Sequence, residues 1–163
     1  MARVATMADA EAIARIYSQG IEERLATFET EPRTAAQIEA QLAEKGDRYP
    51  TVVVEHDGAV VAFATAGPYR NRPAYAGVAE HSVYVERNAR GTGAGRAALE
   101  ALCRVYETRG FWKLASRIFP ENVPSLRLHE RCGFRVVGVY HRHGRLDGVW
   151  RDCVIVEKLL EPR

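Results

Sequence analysis

Several features are missing from this 163-residue chain, and each absence removes a class of protein. No apolar run approaches the roughly 18 residues a membrane-spanning helix needs, and the opening MARVATMADA lacks the apolar stretch of a signal peptide. Cysteine is scarce: Cys103, Cys132 and Cys153 are odd in number, far apart and set among apolar neighbours. They read as reduced core thiols of a cytoplasmic protein, not as a disulfide framework. The five histidines form no HExxH or Cys/His cluster, and His141 and His143 fall on an expected strand end, so no metal is expected. Charge is nearly balanced, 23 basic against 21 acidic residues, with no long basic run, which argues against a nucleic-acid or membrane footprint. Internal repeats and low-complexity stretches are also missing. The length suits a single domain, residues 1–163, that buries about two thirds of its unfolded surface without staples.

What is present centres on Glu80 to Arg109, EHSVYVERNARGTGAGRAALEALCRVYETR. An apolar extended run (Val83, Tyr84, Val85) gives way to a loop with Gly91, Gly93 and Gly95. Beyond it, Ala97, Ala98, Ala101, Leu102, Val105 and Tyr106 recur at three- and four-residue steps between Arg96, Glu100, Arg104 and Glu107. That is a strand, a glycine loop and an amphipathic helix. Glycines let the backbone approach a ligand closely, and the unpaired N–H groups opening the helix favour phosphate or pyrophosphate. A Walker loop fails because Gly95 is followed by Arg96 and Ala97, and a GxGxxG fingerprint from Gly91 fails because position 96 is Arg96.

Around this centre the periodicities predict a strand over Arg3 to Thr6, a helix from Ala8 to about Arg24, and a second helix from Ala35 to Lys45. Thr34 and Gln37 form a capping box for the second helix and Gly46 stops it. Strands Thr51 to Glu55 and Ala59 to Ala66 flank Asp57-Gly58, a hairpin signal. Further strands are expected at Gly77 to Val85, Lys113 to Phe119, Arg135 to Tyr140 and Val149 to Leu159, with a helix from Asn122 to Arg131. The resulting order is β-α-α-β-β-β-α-β-α-β-β.

The segment RxxGxG (Arg90 to Gly95) after VYV, together with ENVPSLRLHERCGF (Glu121 to Phe134), resembles the acetyl-CoA loop and the NxxSxxLYEKxGF element of the GCN5-related N-acetyltransferases (GNAT). The resemblance implies an α/β (α+β) GNAT fold: a mixed, mostly antiparallel twisted sheet of about seven strands, with splayed parallel strands 4 and 5, and about four helices. It implies acetyl-CoA as cosubstrate. Backbone groups of Gly91, Thr92, Gly93, Ala94, Gly95 and Arg96 would hold the pyrophosphate with charge from Arg90 and Arg96, the Val83 and Val85 backbone would follow the pantetheine, and Asn122 and Ser125 would close the other side.

Acetyl transfer to an amine also needs a proton acceptor and a proton for the departing thiolate. Glu80, in an apolar strand, is the candidate base and matches the Glu of the Glu-x-Ser-Val-Tyr-Val pattern of phosphinothricin-type enzymes; the plain alternative is a strand Glu paired with an Arg. His129 stands where relatives have Tyr, and its imidazolium is a candidate acid, against the alternative of a packed helix histidine. Arg33, Arg70 and Arg72 would give a cationic wall for an acidic amino acid, with Phe28, Tyr69 and Tyr75 beside it, against the alternative of a solvated loop.

TFETEPRT, YRNRPAYAGVAEHSVYV and the tail HGRLDGVWRDCVIVEKLL look like the phosphinothricin, methionine sulfoximine and arsinothricin acetyltransferases, and GFWKL and the tail most like the arsinothricin branch. That resemblance implies α-amino acetylation of glutamate analogues, resistance to such inhibitors, and a homodimer. A protein or peptide N-acetyltransferase and a non-catalytic acetyl-CoA-binding module are the competing readings.

Overall fold

The architecture follows from where apolar faces and turn residues fall along the chain. In the computed structural model, which describes residues 1–162, the elements are β1 (Ala2–Val4), α1 (Ala10–Glu23), α2 (Ala35–Lys45), β2 (Val52–His56), β3 (Ala59–Pro68), β4 (Val78–Val85), α3 (Ala94–Thr108), β5 (Lys113–Ile118), α4 (Val123–Arg131), β6 (Arg135–Leu146) and β7 (Val149–Leu159). All seven strands join one sheet in the order β1-β2-β3-β4-β5-β7-β6. Every neighbouring pair is antiparallel except β4 and β5, which run parallel.

Local chemistry sets the element ends. The Thr34 hydroxyl accepts from the Gln37 N–H while the Gln37 side chain accepts from the Thr34 N–H, so two otherwise unpaired donors open α2 satisfied. Gly46, at φ 56°, stops the helix. Asp57 and Gly58, at φ 50° and 78°, give the left-handed pair that a two-residue hairpin needs, and β2 folds back on β3. Met7–Asp9 forms a short 3-10 turn, so α1 begins at Ala10 and not at Ala8.

Side chains alternate across β4, so each face packs on a different helix pair. Tyr84 stacks on Tyr17 of α1 and on Phe63 of β3, with ring centroids 4.9 and 5.3 Å apart, within a core that includes Ile13, Ile16 and Ile38. On the other face Ala79 joins Leu99, Leu102 and Tyr106 of α3 and Leu114 of β5. The strand carrying the central motif is thus held from both sides.

The C-terminal strands depart from expectation. β6 does not stop at Tyr140 but runs to Leu146, turning at Asp147-Gly148 (φ 51° and 78°) directly into β7. Gly138, Gly144 and the polar HRHGR stretch disguise this strand; the chain absorbs its irregularity in a bulge between Tyr140 and Gly144, where Arg142 takes φ 49°. His141 and His143 therefore lie within the strand and are exposed, and His141 Nδ1 meets Asp152 Oδ2 at 3.1 Å.

Candidate active site

The cleft begins where β4 and β5 part. Their pairing covers only Val78, Glu80 and the residue between them against Lys113 to Ala115, after which the strands diverge. At the point of parting the Ser116 hydroxyl donates to the His81 carbonyl at 2.8 Å, a side chain completing the ladder where main chain no longer can. The Gly77 and His81 carbonyls both face β5, so the two-residue period turns the N–H and C=O groups of Val83 and Val85 into the opening.

At the mouth of the opening stands the start of α3. Gly91 and Gly93 take φ 78° and 90°, a conformation that side chains resist. The first intrahelical bond is the Ala97 N–H to the Gly93 carbonyl, 3.0 Å, which leaves the N–H groups of Ala94, Gly95 and Arg96 outside the helical ladder. A Cβ on Gly95 would come within 3.1 Å of Val85 and 3.3 Å of Leu128, so glycine there lets α3 sit close against β4 and α4. The cleft encloses about 730 Å³ and includes Val83, Val85, Arg90, Gly91, Gly93, Gly95, Arg96, Asn122 and Ser125 in its lining.

Asn122 Oδ1 caps α4 by accepting from the Ser125 N–H at 3.4 Å. Thr92 does not line the cleft; its hydroxyl donates to the Ala89 carbonyl and holds the loop, while Ala94 is buried at the start of α3. Arg90 is tied to Glu23 by two hydrogen bonds of 2.7 and 2.5 Å, and Arg96 to Glu100 at 2.6 Å, so neither cation is unpaired. Arg127 and Arg131, overlooked in the sequence, also line the cleft; their four-residue spacing on α4 is the signal that puts them on one face. Open amides, arginines at the rim and an apolar strand edge fit a ligand with a pyrophosphate head and an amide-bearing arm.

A second pocket, of about 300 Å³, adjoins the first and shares Ala26 and Tyr84 with it. Its lining includes Phe28, Glu29, Glu80, His81, Ser116, Arg117 and Phe119. Glu80 is partly exposed, with Oε2 3.4 Å from Arg117 Nη2. Phe28 meets Phe119 edge-on at 4.9 Å and presses on Gly144, where an added Cβ would lie 2.8 Å from the ring.

The expected cationic wall is not assembled in this chain. Arg33 pairs with Glu29 at 3.1 Å and lies 5.6 Å from the Tyr17 ring centroid, one layer behind the pocket. Arg70 covers the Tyr69 ring at 4.4 Å, Tyr69 meets Tyr75 at 5.7 Å, and Arg72 is exposed, all on a surface loop outside the pocket lining. The cation that does line the pocket is Arg117. Strand alternation was its signal: Leu114, Ser116 and Ile118 are buried, while Arg117 shares a face with Ala115, the register partner of Glu80.

His129 also departs from expectation. It is 2% exposed, and both ring nitrogens are engaged internally: Nδ1 lies 2.7 Å from the Ser125 carbonyl and Nε2 2.9 Å from His81 Nε2. A carbonyl can only accept, so His129 carries its proton on Nδ1, His81 donates from Nε2, and His81 Nδ1 is left buried without a partner. Burial lowers the pKa of both rings, and for His81 the neighbouring His129 lowers it further. Burial disfavours the charged form of both rings and both His129 nitrogens are engaged inside the protein, which matches the packed-histidine alternative at position 129.

The site thus joins a mixed sheet opened between two parallel strands to a glycine-led helix end at the mouth. The acetyltransferase (GNAT) family model matches residues 12–134, and the chain belongs to that family. Among curated proteins it is 36% identical over 150 residues to the phosphinothricin N-acetyltransferase of Streptomyces viridochromogenes, covering 92% of this chain and 82% of the relative. It is 31% identical to the L-methionine sulfoximine/L-methionine sulfone acetyltransferase of Pseudomonas paraeruginosa, covering 98% and 94%.

Among solved structures, a ribosomal-protein-alanine N-acetyltransferase from Brucella melitensis superposes with a TM-score of 0.94 at 33% identity, covering 98% of this chain and 99% of that one. A phosphinothricin acetyltransferase from Sinorhizobium meliloti in complex with acetyl-CoA gives 0.91 at 32%, covering 99% and 88%. The chain is thus an acetyltransferase using acetyl-CoA. Among the described residues no cluster of His, Cys, Asp or Glu is placed to hold a metal ion, and no helix is long and apolar enough to cross a membrane.

Proposed function

We propose that the chain acetylates the α-amino group of small acidic glutamate analogues, namely phosphinothricin, methionine sulfoximine and arsinothricin, and so confers resistance to them. The observation that carries this reading is the position of Glu80, in the last register pair before β4 and β5 part, lining a pocket that shares Tyr84 and Ala26 with the cofactor cleft. A pocket of about 300 Å³ suits one amino acid.

Acetyl-CoA supplies the activated acetyl group. Amides at the start of α3, with Arg90, Arg96, Arg127 and Arg131, hold its phosphates, and the Val83 and Val85 backbone aligns the arm. Glu80 takes the proton that the acceptor amine must lose, and a β4 N–H polarises the carbonyl. The C–N bond forms as the C–S bond breaks, and the second proton shed by the attacking nitrogen passes through water to the departing thiolate. Arg33, Arg70 and Arg72 serve acceptor binding through a homodimer, for which the exposed apolar strip Val136, Val137, Val139 and Tyr140 of β6 gives a contact face. Three free, buried thiols suit a cytoplasmic setting.

The name of the Brucella structure favours a second reading, a peptide acceptor. Thiol release from acetyl-CoA, measured with arsinothricin, phosphinothricin, methionine sulfoximine and an alanine-ended peptide, separates the two. Turnover of at least one of the three amino acids above the peptide supports the proposal; turnover of the peptide alone removes it.

A further inference from the structure

We infer that Arg117 is the specificity-determining residue of the acceptor pocket: its guanidinium binds the acceptor's α-carboxylate while Glu80 receives the α-ammonium group. This rests on the amino-acid reading of the pocket given above. Among the described residues Arg117 is the lone Lys or Arg in the pocket lining, which also holds the carboxylates of Glu80 and Glu29. Its contact with Glu80 is loose. At 3.4 Å it is longer than the roughly 2.7–2.9 Å of a well-formed charge-assisted hydrogen bond, and the Arg117 side chain is 49% exposed. A half-exposed pair of this kind is weakly held and opens readily for a ligand.

The other arginines near the pocket lie outside its lining. Arg33 pairs with Glu29 through Nη2, its Nε buried without a partner, and Arg151 packs over the Phe119 ring at 4.2 Å while its Nη1 donates to the Arg24 carbonyl. Arg117 keeps most of its five N–H donors available.

An α-amino acid carries an ammonium and a carboxylate on one carbon. A carboxylate and a guanidinium in loose contact present the complementary pair at matching spacing, so the acceptor replaces one weak ion pair with two. The exchange places no net charge in the pocket, since Glu80 with Arg117 and the acceptor's head group are each neutral in sum. A guanidinium fork also matches carboxylate geometry in a way that an ammonium does not. Arg117 lies outside the cofactor cleft lining, so its removal spares acetyl-CoA.

The test compares L-methionine sulfoximine with its α-carboxamide, which keeps the amine and loses the carboxylate charge, in the wild-type enzyme and in Arg117→Leu and Arg117→Lys. The wild type is expected to prefer the acid by about 30-fold or more in kcat/KM. Arg117→Leu is expected to lose about 30-fold or more on the acid, mainly through KM, leaving the amide and the acetyl-CoA KM within about threefold. Arg117→Lys keeps the charge without the fork and is expected to fall between them; it carries the test alone should the Leu variant not fold. Equal loss on acid and amide, or no wild-type preference, overturns the inference. Wild-type turnover of the alanine-ended peptide but of neither probe removes the amino-acid reading itself, and the inference with it, an outcome visible before any variant is made.

Discussion

The two halves of the site are made of different material. The cofactor cleft is built largely from main chain: strand-edge amides of β4, the open start of α3 and two glycines in left-handed conformation. The proposed acceptor pocket is built mostly from side chains on six separate stretches, among them Tyr17, Phe28 and Glu29, Pro68, Glu80 and Ser82, Arg117 and Phe119, and Cys153 of β7. Backbone sites tolerate sequence drift because each amide survives substitution, whereas a side-chain site changes its ligand with single replacements. Neighbours on this fold can therefore share acetyl-CoA and differ in acceptor.

The comparison breaks most visibly at Glu80. Glu80→Gln is expected to lower kcat by about 10²–10⁴-fold with the acetyl-CoA KM unchanged, measured by thiol release; unchanged turnover would move the base elsewhere. Next in size is the cleft. Gly93→Val forces a β-branched side chain to φ 90°, and we expect a loss of about 1–2 kcal/mol in stability together with an acetyl-CoA KM about tenfold higher and an acceptor KM that hardly moves. A larger effect on the acceptor would erase the division between the two halves.

Smaller still is a pH effect from the buried pair. His81 and His129 have pKa values below the ordinary 6.5, so the unfolded chain binds protons that the folded chain refuses. Stability from this source is full above about pH 6.5 and declines as pH falls below it. Thermal unfolding followed from pH 8 to pH 5 should show this decline, and His129→Phe should flatten it; an unchanged slope would assign the acid sensitivity to other groups. The smallest effect is expected at Glu23→Ala. It releases Arg90 from a partly exposed pair worth about 0.5 kcal/mol and should lower the acetyl-CoA KM only a few-fold.

Periodicity made the fold legible. Apolar steps of two and of three to four residues located every helix and strand in order, and Asp57-Gly58, Gly46 and the Thr34 capping box marked their ends. The splay of β4 from β5 lay beyond periodicity, because it depends on where pairing stops in three dimensions. β6 was cut short because glycine and a run of basic residues resemble a loop until a bulge accommodates them. In the site, the glycine loop was readable because its conformation is local. Arg117 was not, since its importance depends on the face it shares with the register partner of Glu80. Arg70 and Arg72 show the converse: neighbours along the chain, they sit on a surface loop outside the pocket lining of their own chain. His129 could not be read correctly without His81, 48 positions earlier in the chain.

Gly144, on the far hairpin, backs the Phe28 ring that lines the second pocket. With no side chain there, the ring settles against the bare strand; an added Cβ would lie 2.8 Å from it, so the ring would have to shift. A wall of that pocket is thus tied to a position outside its lining, and redesign of the wall can start on that outer ribbon.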